Sequence, residues 1–209
     1  MNTTPLSLGP DQIPQFSPDT LSVGRWTISG TEVVARILIP LEPAPGMYVP
    51  WRDVGSAPVT GSTRWSELIS RVPGPPYVYV DEVTADRIAS VLENEGKSTD
   101  FIAGFSQVYC NDTLPSVGEK VAVDMSDEFE QADFYQCGDL AWLRTVTHEN
   151  NCHFPIVIWP LDVAWSLAAP LYSDSWFFSG PRTLYNSFVG RGLEIYPIPR
   201  DALCPAEGD

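Results

Sequence analysis

Proline divides this chain more firmly than any other residue type. Twenty of its 209 residues are Pro, about twice ordinary usage. Each one fixes φ and removes a backbone donor, so long helices are excluded wherever prolines recur. At the start, Pro5, Pro10, Pro14 and Pro18 make residues 1–20 an irregular Pro-rich arm that packs through Ile13 and Phe16. Pro40, Pro43, Pro45 and Pro50 predict a loop, and Pro73-Gly74-Pro75-Pro76 predicts a stiff turn too short to link two domains. Pro155, Pro160, Pro170 and Pro197 stand at the ends of apolar runs, where a sheet tolerates a missing N–H.

Between these breaks the pattern is mostly that of short strands. Leu21 to Ile28 and Glu32 to Ile39 are predicted strands joined at Ser29-Gly30, with Val33, Ala35, Ile37 and Ile39 on one face of the second. Further strands are expected over Tyr77–Val80, Phe105–Cys110, Leu140–Thr147, Pro155–Trp159, Val163–Ala169, Trp176–Phe178 and Leu193–Ile198. Helices are expected where a cap precedes a 3.6-residue apolar period. One follows Ser62 or Thr63 through Trp65, Leu68 and Ile69. Another follows Thr84 through Ile88, Val91 and Leu92 to Gly96. A third follows Ser126 through Phe129 and Phe134, and a fourth runs from Pro181 to Phe188 before Gly190. The expected architecture is therefore a single α+β domain over 21–209, a mostly antiparallel sheet with three or four short helices packed on it. Trp142, Trp165 and Trp176 sit in alternating apolar runs and are expected inside.

Charge narrows the function classes. The net charge is −15, and with no Lys/Arg cluster this disfavours a phosphate backbone, so no nucleic-acid partner is expected. Residues 81–139 hold fourteen acids against Arg87, Lys97 and Lys120, which places eleven of the fifteen net negative charges there. A basic protein is the partner such a surface would steer. No run approaches ~18 apolar residues, so no membrane span is expected. The start lacks the charged and apolar regions of an export signal, which points to a cytoplasmic protein whose Cys110, Cys137, Cys152 and Cys204 are reduced.

Several motifs fail on spacing. Gly96-Lys97-Ser98-Thr99 resembles the end of a phosphate loop, but that loop needs Gly where Val91 stands and must open a helix. Asp124, Ser126 and Glu128 have calcium-loop spacing, but Phe129 and Tyr135 replace the required Gly and acid. His148, Cys152 and His153, with Cys137 upstream, are the one dense set of soft ligands; at Glu149-Asn150-Asn151 they are expected to form a polar turn, with no metal and no cofactor. Cys137-Gly138-Asp139 with His148 could supply a nucleophile, an orienting acid and a base, although no nucleophile elbow is present.

Trp159-Pro160-Leu161-Asp162 with Trp165 is expected to be a tight turn between core strands, Asp162 bonding the turn backbone. Together with Asp174, Gly180 and Leu193-Glu194-Ile195-Tyr196-Pro197-Ile198, this stretch resembles the C-terminal module of small, acidic, uncharacterised bacterial proteins, over about the last sixty residues. Ten Arg against two Lys suit an Arg-rich, Lys-poor proteome. The resemblance implies no activity; some proteins of this general look are immunity partners of secreted toxins. Three classes follow. The first is a protein-binding module, an inhibitor or immunity-type partner of a basic protein, using Asp127, Glu128, Glu130 and Asp133 beside Phe129, Phe134 and Tyr135. The second is an enzyme assembled around Cys137, His148 and His153, and the third a structural or accessory protein of phage origin.

Overall fold

The computed structural model describes residues 6–19, 21–44, 46–54, 57–68, 82–95, 100–105, 119–122, 132, 134–139, 155–170 and 173–205. Nine strands among them form one sheet: β1 (Leu6–Ser7), β2 (Val33–Leu38), β5 (Asp100–Phe105), β6 (Glu119–Ala122), β7 (Phe134–Asp139), β8 (Val157–Pro160), β9 (Ser166–Ala168), β10 (Ser175–Gly180) and β11 (Ile195–Pro197). Their order is β1-β6-β7-β5-β8-β9-β10-β2-β11, and every pairing is antiparallel except β1 with β6. Two more strands, β3 (Leu41–Ala44) and β4 (Met47–Val49), form a separate hairpin. Three α-helices are described: α1 (Trp65–Leu68), α2 (Glu82–Glu95) and α3 (Arg182–Gly190). The fold is thus α+β and dominated by its sheet.

The sheet is covered on both faces, and its strand patterns show why. Val33, Ala35 and Ile37 of β2 share one core with Phe101, Ala103 and Phe105 of β5, and with Ile88, Val91 and Leu92 of α2 and Leu184 and Phe188 of α3. The alternate residues, Ile102, Val157, Trp159 and Phe177, face the other way onto Phe16, Val23, Trp26, Ile28, Ile198 and Cys204. Helices therefore cover one face, and irregular chain from both ends covers the other. The arm packs through Phe16 and Ile13 as its sequence suggests. Trp165 and Trp176 are buried, whereas Trp142 lies outside the described residues.

Several local expectations are corrected. Leu21–Ile28 is not a strand: Val23–Trp26 is a 3-10 helix, because its backbone pairs with the chain end, Val23 N–H donating to the Ala202 carbonyl and Gly24 N–H to that of Arg200. The Pro40–Pro50 loop contains the β3–β4 hairpin, turned at Gly46 with φ +76°. Phe134, expected to end a helix, begins β7, where its strand fills the gap between β6 and β5. β5 occupies Asp100–Phe105, largely before the strand expected at Phe105–Cys110, and residues 106–110 lie outside the described residues. β9 begins later than Val163 because Pro160–Val163 is a tight turn, closed by Val163 N–H on the Pro160 carbonyl and by Ala164 N–H on the Asp162 carboxylate. The left-handed residue after α3 is Gly192, φ +77°, not Gly190. No side chain of its own N-cap, Pro181, closes α3; the Glu32 carboxylate accepts the Arg182 N–H instead, at 2.7 Å. The strands expected at 77–80 and 140–147 lie outside the described residues.

Gly104 in β5 is held by close approach. A Cβ there would stand 2.7 Å from the Tyr135 ring and 2.7 Å from Val157. Both are cross-strand neighbours in the middle of the sheet, where neither can yield without shifting a strand. Gly104→Ala is expected to cost about 1–3 kcal/mol by overpacking. Urea unfolding checks this; an unchanged midpoint would mean that β5 and β7 separate more easily than their register implies.

Candidate functional site

Among the described residues, the densest buried polar arrangement surrounds Arg36. It stands in the run Val33-Val34-Ala35-Arg36-Ile37-Leu38, and its side chain is fully buried. Such a cation persists only if it is paired and its donors are satisfied. Nη2 donates to Asp174 Oδ1 at 2.8 Å, Nε to Ser175 Oγ at 2.6 Å, and Nη1 to the Thr63 and Gly61 carbonyls at 2.6 and 3.3 Å. Four of the five guanidinium protons are thereby used. The Ser175 hydroxyl also donates to Asp174 Oδ1. The guanidinium carbon lies 5.3 Å from the centre of the Trp51 ring, within cation–π range.

A second carboxylate completes the arrangement. Glu194 accepts the Trp51 and Arg52 amides at 2.6 and 2.8 Å, and the Tyr196 hydroxyl at 3.1 Å. Trp51 is itself fixed, its indole donating to the Ile39 carbonyl at 2.8 Å and its ring meeting Trp65 edge-on at 5.0 Å. Arg36 thus holds the Gly61 and Thr63 carbonyls while Glu194 holds the Trp51 and Arg52 amides, so these two described stretches are fastened beside β2 and β11. The hydrogen-bonding capacity is turned inward onto the protein's own backbone, so the work of this cluster is positional.

Tyr196 gives the cluster a pH signature. Burial, and then the neighbouring Glu194 charge and hydrogen bond, push its hydroxyl up from 10.0 to about 12, with Arg52 opposing. A raised folded-state value stabilises the fold fully below the unfolded pKa and loses that contribution as pH rises through the folded one. Stability should therefore fall between pH 10 and about 12. Burial raises Tyr135 as well. Tyr196→Phe should flatten part of the alkaline loss, measured as melting temperature against pH alongside the tyrosinate absorbance. A variant with the wild-type alkaline slope would exclude Tyr196 as a contributor.

The residues singled out in the sequence fall differently. Asp127, Glu128, Phe129, Glu130 and Asp133 lie outside the described residues, as do His148, Cys152 and His153. Tyr135 is described, and its ring serves the core: it is 7% exposed and meets Trp159 edge-on at 5.7 Å. Cys137 stands on β7 opposite Ile102 and Glu119. Trp159 and Trp165 are both buried about the Pro160–Val163 turn, as expected.

Sequence reasoning passed over Arg36, although a signal was present. A charge inside an otherwise continuous apolar strand needs a buried counter-ion, and Asp174 and Glu194 stood among the acids of the C-terminal third. Comparison with family models, curated proteins and solved structures finds no match. No described helix is long and apolar enough to cross a membrane.

Proposed function

We propose that the protein is a binding module for a basic protein, in the manner of an inhibitor or immunity partner, and that the acid-rich 81–139 segment is the surface it offers. The observation that carries this reading is where the described acids stand. Glu93 and Glu95 are exposed at the C-terminal end of α2, whose last turn has no basic residue and whose dipole favours cations. Five residues on, Asp100 begins β5 directly opposite Asp139 of β7, and both are exposed. Like charges placed in register oppose strand pairing. A positive partner turns the same placement into attraction and a faster encounter.

The test is kinetic. A partner captured by cross-linking in native lysate is purified and its association rate measured against salt. Glu93→Gln, Glu95→Gln, Asp100→Asn and Asp139→Asn combined should lower that rate severalfold at low salt and flatten its salt dependence. Stability should stay within about 1 kcal/mol of wild type, because the four acids are exposed. Asp127, Glu128, Glu130 and Asp133, changed to Asn or Gln, form the second arm. If both combinations bind at the wild-type, salt-dependent rate, this segment is not the docking surface.

A further inference from the structure

β11 is the last strand at one end of the nine-stranded sheet, and its pairing with β2 fixes which of its backbone groups face outward. Leu38 N–H donates to the Glu194 carbonyl at 2.9 Å, and Ile198 N–H to the Val34 carbonyl at 3.1 Å. Bonded and non-bonded pairs alternate along an antiparallel ladder. Residues 194, 196 and 198 therefore bond toward β2, while Ile195 and Pro197 turn their backbone outward. The outer side of a last strand is a template on which another strand can add. Here one of the two outward donors is missing, because residue 197 is proline.

The outward carbonyl of Pro197 is covered by the turn at residues 60–63. A Cβ on Gly61 would stand 2.5 Å from that oxygen and 3.0 Å from the Ile198 Cβ, so the turn lies this close only because residue 61 is glycine. The turn does not continue the ladder. Thr60 N–H donates to Thr63 Oγ1 at 2.9 Å, and Thr63 N–H to the Thr60 carbonyl at 3.2 Å. The Gly61 and Thr63 carbonyls accept from Arg36, which stands opposite Tyr196 on β2. The sheet thus ends against a segment whose own backbone groups are bonded elsewhere.

We propose that the 60–63 turn is an edge guard, latched by Arg36, that keeps β11 from pairing with β11 of a second copy of this chain. Identical edges can meet antiparallel about a twofold axis, each offering the other the same groups. Ile195, Tyr196 and Pro197 carry no charge to repel a second copy locally, so exclusion falls to the guard and to the missing donor. The guard is independent of the acid-rich 81–139 segment.

Gly61→Val combined with Pro197→Val is the test on the full chain. The first change pushes the turn off the strand, and the second restores an outward donor. Sedimentation velocity across a wide concentration range should show the double variant rising toward about twice the wild-type mass. Amide exchange at 195 and 197 should slow as the mass rises, whereas exchange at 195 in the wild type should not depend on concentration. Arg36→Lys combined with Pro197→Val opens the latch without adding bulk to the turn, so misfolding of one combination leaves the other readable. Gly104→Ala, which crowds the middle of the sheet and leaves β11 untouched, should keep the wild-type mass. A folded combination that stays at the wild-type mass would overturn the inference. So would a rise shared by Gly104→Ala, a rise without slower exchange at 195 and 197, or concentration-dependent exchange at 195 in the wild type.

Discussion

Arg36→Met is expected to lower the unfolding free energy by about 3–5 kcal/mol, as removal of one partner from a buried pair does. Methionine fills most of the arginine stem's volume, so the loss reports the charge and its hydrogen bonds more than a cavity. Asp174 would be left in the interior with the Ser175 hydroxyl as its remaining described partner, and the Gly61 and Thr63 carbonyls would lose their donor. Arg36→Lys should fall between, because a single ammonium cannot reach acceptors spread around a planar fork. Combining Arg36→Met with Asp174→Asn should recover part of the loss, since the stranded charge is gone. Residues 60–64 should loosen in both Arg36 single variants, seen as faster amide exchange there. Denaturant midpoints decide the matter: a cost under about 1 kcal/mol for Arg36→Met would mean the guanidinium is better solvated than its burial implies.

Trp159→Ala is expected to cost about 3–5 kcal/mol, the range for deleting a large buried ring. Trp159 is fully buried in β8. It meets Tyr135 of β7 edge-on and donates its indole N–H to the Gln12 carbonyl at 2.9 Å. One side chain thus joins the second core to the N-terminal arm. Trp159→Phe separates the two roles, keeping an aromatic body while removing the donor, at a cost of about 1–3 kcal/mol. Hydrogen exchange over residues 12–17 should accelerate in both variants, and the Ser17 amide, bound to the Gly24 carbonyl, is a convenient reporter. Unchanged exchange in both would show that Phe16 and Ile13 hold the arm without the indole.

What the sequence determined by itself is the part of the fold set by local periodicity. In β2 and the residue that follows it, Val33, Ala35, Ile37 and Ile39 were legible as one face because the side chains of extended chain alternate between two sides, and these four share the helix-covered one. In α2, Ile88, Val91 and Leu92 were legible because one stripe of the helix meets the sheet. Pro181 marked the start of α3 because proline at a helix entry forfeits no internal bond. The turn at Pro160–Val163 followed from residue chemistry of the same local kind. Tertiary structure decided the rest. Leu21–Ile28 had a strand's composition and became a 3-10 turn because its amides pair with carbonyls near residue 200. Phe134 became a strand residue because a place lay open between β5 and β6. Arg36 and Asp174 meet across 138 residues, and their partnership depends on β2 lying between β10 and β11. Local propensity acts over a few residues, whereas burying a charge or ordering a strand is decided by whatever the completed sheet brings alongside.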